Sequence, residues 1–226
     1  MADRQRFLDH IKEMAANGRA FRVAVNPDAT SAQAYVGGGS DLVGSLIAEW
    51  QAVGGMGDRV QGDEAAREYI ARFLTRHGCS RVLRWKHPLL ERLRLDPICD
   101  SAGATVHDWS ELAAKPASER WPDTFAADLG ITSVDWAVAE TGSLALCARP
   151  EQGRVVSLLP PRYLAIVEPS QIVPDLFDLF AQLEAIKTNL PSNVVLVTGP
   201  SKTGDIELKL TTGVHGPGNV HLLVVE

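Results

Sequence analysis

Three short stretches hold the residues best suited to chemistry. The first, TGPSKTGDIE (Thr198 to Glu207), follows an apolar run, Val194 to Val197, and sets Ser201, Lys202 and Thr203 among glycines. Glycine lets a backbone approach a ligand closely, and two hydroxyls with an ammonium offer donors to a phosphate or carboxylate. Gly199, Ser201, Lys202 and Thr203 are therefore candidate ligand contacts, with Asp205 and Glu207 beside them. The GxxxxGK[ST] spacing of a Walker loop is absent, and the two carboxylates would stabilise a helix N-terminus themselves and repel a second anion. The second stretch, GVHGPG (213–218), puts His215 between glycines, where an imidazole acts as acid, base or hydrogen-bond donor near neutral pH. Gly216 is a candidate contact beside it. The third, Glu140-Thr141-Gly142, follows an apolar run ending at Ala139. Glu140 there suits a base, a nucleophile or a turn residue, and Thr141 and Gly142 join the candidate contacts.

The order around the first stretch reads strand, tight loop, helix, with the helix over residues 205–210. In α/β sheets such a loop lies outside the carboxyl end of a strand, where backbone N–H groups are free for a ligand. The second loop feeds a closing apolar run, Val220 to Val225, short and β-branched, which reads as a buried strand. Both loops are thus expected to hang from central strands and to meet Glu140 to Gly142 at one edge of a sheet.

Upstream, Phe7, Leu8, Ile11 and Met14 recur at helical spacing, with Gly18 as a stop, which gives a lid or packing arm. Residues 21–40 keep no period and end in Gly37-Gly38-Gly39, the pattern of a linker or a loop over a site. Ser40 is placed to cap a helix carrying Leu42, Leu46, Ile47 and Trp50, which Gly54-Gly55 ends. From Asp63 as cap to His77, Ala66, Tyr69, Ile70, Phe73 and Leu74 share one helical face, Glu68 sits one turn before Arg72, and Gly78 closes the helix. Val82 to Trp85 and Ala104 to His107 read as strands around a short helix after Pro88. This alternation argues for parallel strands with crossover helices. From Ala127 the runs Val134 to Ala139, Leu144 to Cys147, Val155 to Leu159 and Leu164 to Val167 read as strands between turns. Pro174 then suits the first position of a helix that buries Val173, Phe177, Phe180 and Leu183, with Lys187 at its end. Residues 1–40 form an N-terminal helix and linker, and 41–226 an α/β domain.

Composition narrows the functions. A net charge of −6, with 22% charged and 45% apolar residues, favours neither nucleic acid nor an anionic membrane. No run approaches the roughly 20 apolar residues of a membrane span, and the charged opening lacks a signal-peptide core, so cytoplasm is the default location. Cys79, Cys99 and Cys147 are dispersed, with no CxxC pair, which disfavours a disulfide framework, zinc or an iron–sulfur cluster on this chain. No dinucleotide fingerprint is present. Cys147 and His221 lie in apolar runs and read as core residues. His10, His77, His87 and His107 read as surface residues.

Taken together, AETGS (139–143), SLLPPRYLAIV (157–167), TGPSKTGDIE (198–207) and GVHGPGNVHL (213–222), preceded by ADLGIT (127–132), resemble the LUD domain family of the lactate-utilisation protein C type. The resemblance is concentrated in the last hundred or so residues. It implies an α/β fold, a Rossmann-like sheet flanked by helices, similar to that of ribose-phosphate isomerases, glucosamine-phosphate deaminases and CoA transferases. It also implies a role beside iron–sulfur partner proteins in bacterial oxidation of L-lactate to pyruvate, with no cofactor on this chain and the clusters on the partners. A small anionic metabolite is the ligand class the loops suit. A free-standing isomerase or transferase acting on a phosphorylated or CoA-linked metabolite is the alternative. The sequence departs from the family pattern with Lys202 for the usual arginine, Gly204 for alanine and Ser143 for threonine. Replacing arginine by lysine removes a planar bidentate fork.

Overall fold

The computed structural model describes residues 2–19, 37–203 and 211–226. The chain divides between Val36 and Gly37 into two compact units. The first contains α1 (Ala2–Arg19), which runs one residue past Gly18 and exposes Phe7, Leu8, Ile11 and Met14. The linker expected at residues 21–40 lies largely outside the described residues.

The second unit begins with α2 (Leu42–Ala52), β1 (Met56–Val60), α3 (Gly62–His77), β2 (Arg81–Arg84), α4 (Pro88–Leu93), α5 (Leu95–Ser101) and β3 (Thr105–Asp108). It continues through α6 (Trp109–Ala114), α7 (Ala117–Phe125), β4 (Leu129–Thr132), β5 (Trp136–Val138), β6 (Ser143–Cys147), α8 (Val155–Leu158) and β7 (Arg162–Val167). It closes with β8 (Ile172–Val173), α9 (Leu176–Ala185), β9 (Val194–Val197), β10 (Lys202–Thr203), β11 (Thr211–Thr212) and β12 (Asn219–Val225). This is a mixed α/β protein with a central parallel sheet flanked by helices.

The central sheet has six strands in the order β1-β12-β7-β4-β2-β3, and every adjacent pair is parallel. Parallel strands are buried on both faces and so read as continuous apolar runs. That is why β12 and β7 stand out in the sequence. β1 does not, because MGDRV at the sheet edge carries polar residues, and this strand escapes the periodicity reading. Register assigns the faces. Gly57 pairs with Leu222, which pairs with Ala165, and a side chain at Gly57 would meet Ile47 of α2, while one at Gly130 would meet Val156 of α8. α2 and α8 therefore cover one face. His221, one residue out of step, meets Phe73 of α3 on the other, with ring centroids 4.6 Å apart.

A second sheet, β8-β5-β6-β9, is mixed, with β6 antiparallel to both neighbours and β5 parallel to β8. Ala137, Leu144 and Leu146 on one side join the main core. Val138 and Ala145 on the other pack with Leu179 of α9.

Several local expectations are corrected. Asp41, not Ser40, caps α2, accepting from Gly44 N. Gln61 precedes α3 without a side-chain cap, and Asp63 stands in its first turn; the Gly78 stop and the Glu68–Arg72 pair at 3.5 Å are present. Val155–Leu158 is a helical turn, not a strand, because the Pro160-Pro161 pair delays the strand to Arg162. α9 starts after Asp175, which caps it, and Phe177 (77% exposed) and Phe180 (58%) face away from the core. The apolar stripe runs instead through Leu176, Leu179 and Leu183, since the cap shifts the helix phase. Lys187 lies in a short 3-10 turn beyond the helix.

Candidate functional site

The three motif stretches meet around the C-terminal end of α2. β6 pairs with β9 from Leu144↔Val197 outward, which brings the residues just beyond that pair together. Ser143 Oγ and Thr198 Oγ1 are hydrogen-bonded at 2.7 Å, and Thr141 Oγ1 donates to Ser143 Oγ at 2.8 Å. Glycine is required twice here. At Gly142 (φ 63°) a Cβ would lie 2.6 Å from Trp50 N, and at Gly199 (φ 79°) 2.6 Å from Val53 Cγ2. Both turns therefore press directly on the last turn of α2, and both need the left-handed backbone that glycine adopts without penalty.

The two loops are joined by backbone. Ser201 N donates to Pro217 O and Gly213 N to Ser201 O, each at 3.0 Å. His215 N donates to Ser201 Oγ at 3.3 Å, and Gly216 lies over Ser201 and Leu158. Lys202 and Thr203 form β10, antiparallel to β11, so two residues expected in a loop are strand. Residues 204–210, with Asp205, Glu207 and the expected helix, lie outside the described residues. Lys202 Nζ donates to Val53 O, at the C-cap of α2. A cation there satisfies a helix-end carbonyl and complements the dipole.

Glu140 turns another way. Its Oε1 accepts from Gly37 N at 3.3 Å and its N donates to Pro174 O at 3.0 Å, so it anchors the glycine segment that precedes α2. Among the described residues no hydrogen bond links Glu140 to His215. The structure thus gathers Thr141, Gly142, Gly199, Ser201, Lys202, Thr203, His215 and Gly216 into one connected region, with Glu140 at its margin.

The position in the fold differs from expectation. β9 is the end strand of the second sheet, not a central strand. The 213–218 loop enters β12, Leu158 leads into β7 and Val53 into β1, so the region borders the amino ends of the parallel strands. Ligands of open α/β sheets ordinarily bind at the carboxyl ends. At the opposite, carboxyl-end edge, where the strand order reverses between β2 and β4, polar side chains of the chain pair with one another. Arg149 pairs with Asp135 at 2.6 Å, and Arg92 bridges Asp63 (3.0 Å) and Glu168 (2.8 Å). His87 Nδ1 accepts from Leu89 N at 3.2 Å, and burial pushes its pKa down.

Sequence reasoning missed Ser143, Thr198 and the end of α2. The two hydroxyls each adjoin a motif residue, which was the available signal; nothing in the sequence tied Trp50 or Val53 to loops so far along the chain. His77, His87 and His107 are partly buried, correcting their reading as surface residues. His221 is a core residue, its Nε2 2.8 Å from Asn219 Oδ1. All three cysteines are free and buried, and burial raises their thiols to about 11, 12 and 11 for Cys79, Cys99 and Cys147. Among the described residues no group of three or more His, Cys, Asp or Glu is arranged to hold a metal ion, and no helix is long and apolar enough to cross a membrane.

This α/β frame, with its motif loops meeting at α2, matches a known family. The LUD domain model matches residues 43–225, and the chain belongs to that family. A protein from Halalkalibacterium halodurans named Lactate utilization protein C is 29% identical over 99% of this chain and 97% of its own length. One of the same name from Bacillus subtilis is 34% identical over 72% of this chain and 68% of its own. A crystal structure of a DUF162 family protein from Deinococcus radiodurans superposes with a TM-score of 0.58 at 19% identity, covering 82% of this chain and 96% of that one, which shows the shared fold.

Proposed function

We propose that the chain acts in bacterial lactate utilisation, as a non-redox subunit working with iron–sulfur partner proteins that oxidise L-lactate to pyruvate. The observation that carries this reading is the likeness to Lactate utilization protein C along nearly the whole of both chains. The loop region at the end of α2 is the part we assign to contact with a small anion or a partner surface. Exposed His215, the hydroxyls of Ser201 and Thr203, and glycine-rich backbone supply donors without a redox centre. The dispersal of Cys79, Cys99 and Cys147, with no CxxC pair, supports placing the clusters on partners, since clusters are held by grouped thiolates. The alternative, a free-standing isomerase or transferase, would rest on Glu140 and Lys202, whose side chains contact Gly37 N and Val53 O.

Two experiments test the reading. Co-purification from the native operon should recover the chain with coloured partners, while the chain alone shows no cluster absorbance; recovery of stoichiometric iron on the isolated chain would refute it. His215→Ala should impair growth on lactate while thermal unfolding stays within the roughly 0.5 kcal/mol usual for exposed positions. Wild-type growth from both His215→Ala and Thr203→Ala would remove the assignment of the loops.

A further inference from the structure

On the α3 face, away from the motif loops, a cleft of about 830 Å³ opens between α3 and the edge strand β1. That is within the roughly 300–1,000 Å³ of small-molecule sites. Tyr69, Arg72, Phe73, Arg76 and His77 recur along one side of α3, and Asp58 of β1 forms the facing wall. The lining carries Arg59, Arg72 and Arg76 beside Asp58, with Arg59 4.0 Å from Glu226. Asp58 is also occupied, because Tyr69 donates its hydroxyl to Asp58 Oδ2 at 2.8 Å.

Two of the arginines, both on α3, remain for a ligand. Arg72 has an exposed pair with Glu68 at 3.5 Å, a contact of small value, and Arg76 has neither an ion pair nor a hydrogen bond among the described residues. Like charges one helical turn apart repel, and an anion placed between two guanidiniums relieves that repulsion while fitting their planar donor forks. Beside them runs a row of rings. Tyr69 and Phe73 lie at 6.4 Å and 24°, and Phe73 and His77 at 4.4 Å; the half-buried Tyr69 and His77 border the cleft. Rings of this kind present faces on which a flat heterocycle stacks.

We propose that the cleft between α3 and β1 binds a nucleoside phosphate, with Arg72 and Arg76 holding the phosphate and the base packing against the Tyr69 end of the ring row. This goes beyond the lactate reading and depends on none of the loop residues. The test is isothermal titration of the full chain with AMP, adenosine and inorganic phosphate. AMP should bind saturably, more tightly than either fragment by about tenfold or more, and more weakly as salt rises. The exposed Arg72→Ala/Arg76→Ala double variant should keep its unfolding temperature and lose about tenfold or more in AMP affinity, and Arg72→Lys/Arg76→Lys should recover part of it. Absence of saturable AMP binding up to about 1 mM, equal affinity for AMP and phosphate, or unchanged affinity in the double variant would each overturn the proposal.

Discussion

The side chains of the loop region divide between those that face outward and those that pin the frame. Lys202, a candidate ligand contact from the sequence, is tied instead to Val53 O, whereas His215 is exposed and among the described residues hydrogen-bonds through its backbone N. Gly142 belongs to the frame. Gly142→Ala would place a methyl 2.6 Å from Trp50 N on a backbone at φ 63°, and equilibrium urea unfolding should show a loss of about 1–3 kcal/mol. His221 makes the fold pH-sensitive. Burial first, then the neighbouring His77, pushes its pKa down to about 4 from the ordinary 6.5, with Asp58 opposing. The unfolded chain therefore takes up the proton first on acidification. Stability that the neutral ring supplies above about pH 6.5 drains away as pH falls and is gone below about 4. His221→Gln should flatten that slope in unfolding measured at several pH values, with a remnant from His77, whose pKa is also lowered. The motif residues were legible because glycine and hydroxyl clusters advertise themselves; their contact with α2 was not, since it depends on strand pairing between distant segments.

Among elements, α9 separates what periodicity reveals from what it hides. The sequence shows an amphipathic helix, but Asp175 sets its first turn, and that phase puts Leu179 inside and Phe180 outside. Leu179→Ala should cost about 2–5 kcal/mol and Phe180→Ala less than about 0.5 kcal/mol, measured by thermal unfolding. The junction of α4 and α5 holds another local conflict. Arg94, at φ 53°, is the sole non-glycine with positive φ among the described residues. A side chain there costs roughly 1–2 kcal/mol, and glycine returns about 0.5–1 kcal/mol of that as chain entropy. Arg94→Gly should thus stabilise the protein by about 0.5 kcal/mol, visible as a raised unfolding temperature. Strands buried on both faces, such as β7 and β12, were readable as apolar runs. β1 was not, being a polar edge, and Val155–Leu158 misled because a short β-branched run also suits a single helical turn.

At the scale of the whole molecule, the alternation of helix and strand was enough to reach an α/β sheet, while the second sheet was merged with it in the sequence. Separate strands carry no mark of which sheet they will join. The two edges of the parallel sheet have different occupants: motif loops at the amino ends of β1, β12 and β7, and ion pairs beyond the carboxyl ends, made by Asp63 after β1, Asp135 after β4 and Glu168 after β7. The strand order has a temporal consequence. β12 is inserted between β1 and β7, and Glu226 exchanges backbone hydrogen bonds with Val60 and Gly62 at the end of β1. On a ribosome β1 (Met56–Val60) is made well before its sheet neighbour β12 (Asn219–Val225) appears. Until then β1, β7 and the apolar faces beside them wait without their partner, so pairing in this half of the sheet depends on a contact of long sequence separation, the kind that forms slowly.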